Sequence, residues 1–399
     1  MHYDFNFYSS LLLITFSQGI IYGVLLLKKV IQTESKPNYW LSLFVFLCSL
    51  YVAPWMLGFA GWYDNQPFRD IMFYIPFQHL FFIGPILFFY IQSLLNPAFK
   101  INKKQSLHLI LGLIYLVYSF IVFVYDKLIL SKYYFYEYGM DKDFDAWYQY
   151  SGFISMFIYM FLSLKYYSNY RKLIVQITSN ADSVLFDWIR KYLFAFLGML
   201  LLKVFAEIFF TIFPEYKDYV GGWWFYLLFS IILYYIAITG YANSIETKIG
   251  FEMSFSNNKP ILLLNQNQEY NTIEIEYQEI KIEILTDIII WKTKIETLIQ
   301  SEKLYQNPEL SLSEIAKKLE SNSSVISRAI NQGFEINFND FINNYLVEAV
   351  KEMFKIGTHK KSTLLGIAYD CGFNSKATFN RAFKKNSGLS PKEYITSKI

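Results

Sequence analysis

The chain has 399 residues, which is enough for two or three domains. Hydrophobic residues make up 54% of it and aromatic residues 20%, whereas charged residues reach only 17%, well below the quarter that is usual for soluble proteins. This composition excludes an ordinary soluble protein, and the net charge of +3 is too small to indicate a partner. Charge is sparse up to residue 243 and frequent after it.

Seven apolar stretches in the first 243 residues are long enough to cross a bilayer as helices. They cover Ser10–Leu27, Tyr39–Ala60, Ile71–Leu95, Ser106–Tyr125, Ala146–Leu164, Tyr192–Phe213 and Val220–Ala242. Six of the stretches contain no Asp, Glu, Lys or Arg. So many apolar runs leave too little polar surface for a soluble core, so the pattern predicts seven transmembrane helices that contact membrane lipid.

The loops between these stretches predict the orientation, because cytoplasmic loops collect Lys and Arg. Loops 1–2, 3–4 and 5–6 hold eleven Lys and Arg residues, whereas the alternate loops hold five. The N-terminus is therefore predicted outside and the C-terminal part in the cytoplasm. The many Asn, Lys, Ile, Tyr and Phe residues indicate an AT-rich bacterial genome, so we expect a multi-pass protein of the bacterial inner (cytoplasmic) membrane.

Three polar residues stand out inside the predicted spans. Lys203 and Glu207 lie four residues apart on one face of the sixth span, where charge is costly, so we expect them to be paired and to face the bundle interior. The pair could form an intramembrane sensing site or a structural ion pair. In the third span, His79 could contribute to a pocket or could pack as a hydrogen-bonded residue, and Gly84–Pro85 predicts a kink.

A linker is predicted over 244–287. Ile273, Ile275 and Tyr277 alternate with glutamates, and this period of two is typical of a strand. The strand could form a small hairpin or serve dimer contacts, or the alternation could occur by chance in a flexible linker. From Asp287 the apolar residues recur every three or four positions, which predicts an amphipathic helix that packs on the following domain.

The last hundred residues contain a repeat. The copies read SLSEIAKKLESNSSVISRAINQG and TLLGIAYDCGFNSKATFNRAFKKNSG, about 53 residues apart. Each is typical of a helix, a turn and a second helix. Ser313, Asn322 and Ser375 are predicted helix caps, Gly372 is predicted at a turn that needs positive φ, and the helix 338–355 is predicted to join the two units.

A helix-turn-helix places its second helix in the major groove of DNA. Apolar residues would hold that helix to the core, whereas polar residues would face the bases. The predicted DNA-facing residues are Ser323, Ser324, Ser327 and Arg328 in the first unit, and Lys376, Ala377, Asn380 and Arg381 in the second. Arg pairs with guanine and Asn with adenine. Lys384, Lys385 and Lys392 are predicted to contact phosphates.

The segment IAYDCGFNSKATFNRAFKKNSGLSPKEY resembles the C-terminal signature of the AraC/XylS family of transcription regulators. The resemblance rests on Ile367, Ala368, Gly372, Phe373, Ser375, Phe379, Arg381, Phe383, Lys384, Gly388 and Pro391, and covers about residues 290–399. Leu346 stands where the family often has Arg. The resemblance implies a protein that binds double-stranded promoter DNA, usually activates transcription and so works with RNA polymerase. The apolar half is similar in arrangement to membrane-bound members of this group.

These features together predict an all-α protein, with a seven-helix transmembrane bundle and a C-terminal all-helical domain that holds two helix-turn-helix units. The predicted domains are a sensor over 1–243, the linker over 244–287 and the DNA-binding domain over 288–399. The predicted function is a one-component, membrane-bound transcription regulator that answers an unknown stimulus or small-molecule ligand, with a homodimer as one possible assembly. Two alternatives stay open: a pure membrane anchor for a constitutive DNA-binding module, and a membrane enzyme or transporter with a regulatory domain.

No catalytic motif is present, and we expect neither a cofactor nor a metal site. The four histidines lack the spacing of metal ligands. Cys48 and Cys371 lie in different halves, so no disulfide is expected.

Overall fold

The structure is a computed structural model that describes nine stretches of the chain. They are residues 5–33, 35–96, 99–139, 144–179, 187–243, 249–254, 259–264, 271–274 and 284–398. The chain divides into two compact units. Met1–Tyr167 and Asp187–Gly250 form the first, and Ser168–Phe186 and Phe251–Ile399 form the second.

Helices make up most of the described residues of the first unit, which ends at the start of a strand at Ile249. Its α-helices are α1 (Phe7–Thr33), α2 (Lys36–Phe59), α3 (Phe68–Tyr74), α4 (Leu80–Leu95), α5 (Lys103–Leu107), α6 (Ile110–Phe123), α7 (Asp145–Ile177), α8 (Asp187–Ile212) and α9 (Trp223–Ala242). A π-helix over Val124–Ile129 extends α6, and short 3-10 helices cover Trp62–Asp64 and Pro214–Tyr216. The helix α7 passes into the second unit at Ser168.

Five described helical segments are long and apolar enough to cross a membrane. They are Phe7–Thr33, Lys36–Phe59, Lys103–Ile129, Trp188–Ile212 and Trp223–Ala242. Of the seven predicted spans, the fifth forms part of α7, which does not meet this standard, and the third contains only the shorter apolar helix Leu80–Leu95. The number of membrane spans therefore stays a prediction.

The third predicted span is not one continuous helix, and this part of the prediction was wrong. The helix α3 ends at Tyr74, residues 75–79 are irregular, and α4 begins at Leu80. Pro76 lies in the break, where its ring removes a backbone donor. The helix α4 runs through Gly84–Pro85, so the interruption lies several residues before the expected kink.

Small residues bring α1 and α2 together. The Ser42 hydroxyl donates a buried hydrogen bond of 2.7 Å to the Gly23 carbonyl oxygen. A β-carbon added at Gly23 would lie 2.7 Å from the Phe46 ring of α2, so only hydrogen fits there. Close approach at small residues is the usual way for helices to pack in an apolar solvent.

Three short strands lie within the predicted linker: β1 (Ile249–Ser254), β2 (Lys259–Leu264) and β3 (Asn271–Glu274). They form one sheet in the order β1-β2-β3, and β2 pairs with β3 in antiparallel fashion, with Leu262 opposite Ile273. The period-two pattern thus gives a strand at Ile273, whereas Ile275 and Tyr277 lie outside the described residues. Apart from these strands the described chain is helical, and the all-α prediction is confirmed.

The C-terminal part of the second unit contains seven α-helices in its described residues. They are α10 (Ile284–Ser301), α11 (Leu312–Lys318), α12 (Ser323–Gly333), α13 (Phe338–Lys355), α14 (Leu364–Asp370), α15 (Lys376–Ser387) and α16 (Pro391–Lys398). Short 3-10 helices cover Leu304–Gln306 and Thr358–Lys360. The pairs α11–α12 and α14–α15 are the two helix-turn-helix units, and α13 joins them.

The turns of both units follow from their residues. Ser311 caps α11 by accepting a bond from the Glu314 amide, so the predicted cap at Ser313 was wrong by two positions. Gly372 has φ of +111° between α14 and α15, as its predicted turn requires. A β-carbon there would lie 3.1 Å from the Gln306 α-carbon and 3.1 Å from a Leu346 methyl group.

The Gly23→Leu substitution is expected to destabilise the first unit by about 1–3 kcal/mol, because the added side chain overpacks the α1–α2 contact. Thermal unfolding of the detergent-purified protein measures this loss. Gly198→Leu is the matched control, since nothing lies within 4 Å of the β-carbon position at Gly198. Equal losses in both variants would contradict the close contact between the two helices.

The Gly372→Ala substitution is expected to destabilise the second unit by about 3 kcal/mol, because backbone strain and close contact add. Gly357→Ala has comparable strain, with φ of +85°, but no neighbour within 4 Å, and should cost about 1 kcal/mol. Pulse proteolysis of the full chain in urea compares the two. If both variants lose the same stability, the packing at Gly372 is irrelevant.

Candidate nucleic-acid interface

The helix α15 has the features of a recognition helix. Ser375 caps it by accepting a hydrogen bond of 3.1 Å from the Thr378 amide, as predicted. Beyond the cap, one face of the helix is exposed: Lys376, Ala377, Asn380, Arg381 and Lys384. The opposite face is buried through Thr378, Phe379, Ala382 and Phe383. The exposed face thus carries every residue of the second helix-turn-helix unit that was predicted to face the bases.

Aromatic packing fixes the orientation of α15. The Phe383 ring is fully buried, with its centroid 5.8 Å from that of Phe354 in α13 and 5.3 Å from that of Tyr394 in α16. Phe379 packs against Phe373 in the preceding turn at 5.3 Å. Since ring burial is a large apolar contribution, these contacts hold the polar face in one direction relative to α13.

The three lysines predicted to contact phosphates are all exposed, but they differ in their partners. The Lys385 ammonium lies 2.7 Å from the Asp340 carboxylate at the start of α13. A phosphate would therefore have to displace this carboxylate. Lys384 lies in the last turn of α15, and Lys392 in the first turn of α16.

The first recognition helix, α12, is less open. Asn322 caps it by accepting a bond of 2.9 Å from the Val325 amide, as predicted. The Ser324 hydroxyl donates to the Asn322 side chain, and the Ser323 hydroxyl shares a bond of 3.3 Å with Ser313. Ser323, Ser324, Ser327 and Arg328 are all only half-exposed. The short serine side chains are thus largely used within the unit itself.

One exposed residue of α12 was missed by the sequence analysis. Asn331 occupies the position that corresponds to Lys384, 53 residues later, and it is exposed. Its side-chain amide donates a bond of 3.3 Å to the Ser327 hydroxyl. The spacing of the repeat, applied one turn further along the helix, would have identified it.

Neighbouring groups shift the pKa values of several side chains in the second compact unit. The Glu302 carboxylate accepts a hydrogen bond from Lys318 at 2.7 Å and raises the pKa of that ammonium, which therefore stays charged near neutral pH. Hydrogen bonds from the Ser390 amide and hydroxyl lower the pKa of Glu393, whose carboxylate closes the cap of α16. Burial raises the pKa of the Cys371 thiol, so it stays protonated.

The predicted sensing residues Lys203, Glu207 and His79 lie in the first compact unit, not in the helix-turn-helix units. The Lys203 ammonium is 2.6 Å from the Glu207 carboxylate, so the predicted pair is present. It lies in an open groove of about 480 Å³ beside Phe153, and the Glu207 side chain is 37% exposed, so the pair does not face a closed interior. The His79 ring packs near Tyr115 and Phe82, and its Nδ1 atom is buried without a hydrogen-bond partner in the described chain.

Comparison with known proteins agrees with the geometry of the second unit. Residues 315–397 match the family model of a helix-turn-helix domain. The chain is 30% identical over 92 residues to an uncharacterized HTH-type transcriptional regulator of Staphylococcus aureus (strain COL). This alignment covers 23% of the chain and 12% of that relative, so the chain spans about an eighth of the relative's length. No solved structure matches the chain. The chain therefore carries a helix-turn-helix domain at its C-terminal end.

Proposed function

We propose that the protein is a membrane-bound, sequence-specific DNA-binding regulator of transcription, related to the AraC/XylS group. The observation that carries this proposal is the doubled helix-turn-helix, in which α15 presents an exposed polar face of Lys376, Asn380, Arg381 and Lys384 above a buried aromatic core. Two such units joined by one helix suit two successive major grooves. The relative in Staphylococcus aureus is itself named as a transcriptional regulator.

The two helix-turn-helix units contribute unequally to the recognition of DNA sequence. In α15, Arg381 can pair bidentately with guanine and Asn380 with adenine, whereas Lys376 and Lys384 suit the phosphate backbone. In α12, Arg328 and Asn331 are the residues with enough reach, because the serines are short and bonded within the unit. Most sequence preference therefore comes from the second helix-turn-helix unit. Activation through RNA polymerase is the output that we propose by resemblance.

The first unit is proposed to lie in the bacterial inner membrane. In the segment Lys103–Ile129, only 11% of the most apolar window is buried in the protein. Leu111, Ile114, Val117 and Phe120 are each more than half exposed. So large an apolar surface is unfavourable in water but not against lipid tails. The Lys and Arg residues of loops 1–2, 3–4 and 5–6 favour an outside N-terminus and a cytoplasmic second unit.

Within the second unit, the end of α7 is bonded to the DNA-binding helices, and we propose that this contact transmits the stimulus. Thr178 forms an antiparallel β-bridge with Ser311, the cap of α11. The Ser179 amide and hydroxyl both donate to the Leu310 carbonyl oxygen, at 3.2 and 3.0 Å. The residues that follow the fifth predicted span are thus hydrogen-bonded to the start of the first helix-turn-helix.

A buried pair of amides on α13 completes this contact. The Asn339 side chain donates a bond of 2.5 Å to the Ser179 carbonyl oxygen and accepts one of 2.9 Å from Asn343. Both asparagines are at most 5% exposed. Since a buried amide without a partner is costly, loss of the Ser179 contact would disfavour this arrangement of α13. A stimulus that moves α7 could therefore shift the helix that joins the two DNA-binding units.

The Arg381→Ala substitution is expected to remove discrete sites from the genome-wide DNA occupancy of the tagged full-length protein. On a site so identified, loss of one bidentate contact should cost about 1–3 kcal/mol, or roughly tenfold to a hundredfold in affinity. The Lys384→Ala substitution should weaken binding to all sequences alike. Lys355→Ala, which removes an exposed lysine at the end of α13, is the control. Specific occupancy that survives in Arg381→Ala would contradict the proposal.

The double variant Thr178→Cys with Ser311→Cys is expected to form a disulfide, because bridge partners have the α-carbon separation that a disulfide needs. Oxidation of membrane vesicles should produce a faster band on a non-reducing gel. Thr178→Cys with Ser313→Cys is the near-miss control, and the native Cys48 and Cys371 are buried. Operator affinity of the oxidised protein should differ about fivefold or more from that of the reduced protein. A disulfide that leaves affinity unchanged would rule out the coupling role.

A further inference from the structure

A large cavity in the first unit lies where the third predicted span is interrupted. Its volume is about 700 Å³, within the range of small-molecule sites. Its lining includes residues from α2, α3, the break at 75–78, α6, the segment before α7 and α7 itself. Ten of the lining residues are aromatic, and seven of these are tyrosines. The wall is therefore rich in ring faces and hydroxyl groups.

The break in the helix is the first reason to regard the cavity as a binding site. In a membrane, unwound backbone is tolerated where it is buried in protein or lines a cavity, and interrupted helices are typical of binding sites. Here the Tyr148 hydroxyl donates to the Gln78 carbonyl oxygen at 2.6 Å and accepts from the Leu80 amide at 3.0 Å. The interruption is thus held open by a side chain of the cavity wall.

Two tyrosines of the wall already contact an ammonium group, which belongs to a neighbouring groove. The Lys127 ammonium lies 4.3 Å from the ring centroid of Tyr133 and 5.4 Å from that of Tyr74, both of which line the cavity. The Asp70 carboxylate pairs with the same ammonium at 2.7 Å. Aromatic faces beside a carboxylate are the usual recognition elements for organic ammonium ions.

The ionisable groups that line the cavity favour a cation. They are Arg69, Glu137 and Asp145, so carboxylates outnumber the single guanidinium group. The Arg69 side chain donates a bond of 2.5 Å to the Tyr63 carbonyl oxygen. Burial, with a contribution from the Asp145 charge, raises the pKa of Tyr63 to about 12, so this phenol of the cavity wall stays neutral.

We propose that this cavity binds a small organic ammonium ion, held by the tyrosine faces and by the Asp145 carboxylate. The proposal deepens the proposed function, because such a ligand would be the stimulus of the regulator. Binding itself needs neither DNA nor the second unit. Failure of the ligand site and failure of the DNA-binding proposal can therefore be observed separately.

The test is isothermal titration of the detergent-purified full-length protein with choline and with 3,3-dimethylbutan-1-ol, its neutral isostere of the same shape. Choline should bind saturably at millimolar concentrations or below, and the alcohol about tenfold more weakly. Asp145→Asn should weaken choline binding about fivefold or more. Glu215→Gln, an exposed carboxylate that does not line the cavity, should leave it unchanged.

Two results would overturn the ammonium site. One is equal affinity for choline and for the alcohol, which would show that shape and not charge is recognised. The other is absence of saturable choline binding in the unsubstituted protein while its operator binding is intact. Because both measurements use the unsubstituted protein, they hold even if Asp145→Asn folds poorly.

Measurements in nanodiscs distinguish a free ammonium ion from a lipid headgroup as the ligand. Choline binding is repeated in discs of phosphatidylcholine and in discs of phosphatidylglycerol. Binding in both means that a free ammonium ion is the ligand. Binding only in phosphatidylglycerol means that the lipid headgroup itself occupies the site, which supports the same recognition chemistry with a lipid as its source.

Discussion

The proposed membrane setting accounts for much of the structure of the first unit. Its long helices leave apolar side chains uncovered, as Leu111, Ile114 and Phe120 show, and in an apolar solvent the backbone must satisfy its own hydrogen bonds. Continuous helices meet this demand by themselves. The break at 75–79 meets it through the Tyr148 hydroxyl, which takes over bonds that a helix would have supplied. The cavity lies beside this break, and Tyr148 is part of its wall.

In the second unit, the same requirement is met by polar side chains at helix ends. Ser311, Asn322, Asn337, Thr363 and Ser375 each accept a bond from an amide of the first turn. These short helices would fray without such caps. The caps and the aromatic core together make a small rigid body, on which the polar face of α15 has one direction. Under the proposed function, this body would respond to a displacement of Ser179, which is hydrogen-bonded to Leu310 and to Asn339.

Two buried amide side chains on α13 join this helix to the residues that follow α7. The pair Asn339 and Asn343 has its hydrogen bonds completed by the Ser179 carbonyl oxygen, a group that lies far away in the sequence. Under the proposed orientation, the loop that supplies this oxygen is cytoplasmic and rich in Lys and Arg. Under the proposed function, a stimulus has to reach the DNA-binding helices, and this buried hydrogen bond would join the end of α7 to α13.

The sequence by itself determined the helical class, the apolar half, the bounds of α13, the caps at Asn322 and Ser375 and the turn at Gly372. Each of these depends on residues close together in the chain, so local propensity and periodicity suffice. The tertiary structure decided the rest. The third span breaks around Pro76, where the Tyr148 hydroxyl bonds the freed backbone groups, the serines of α12 bond within their own helix-turn-helix unit, and Ser311 rather than Ser313 meets the free amides. The contact of Ser179 with Asn339 and the cavity around Tyr133 join residues far apart in sequence, whose meeting no local pattern encodes.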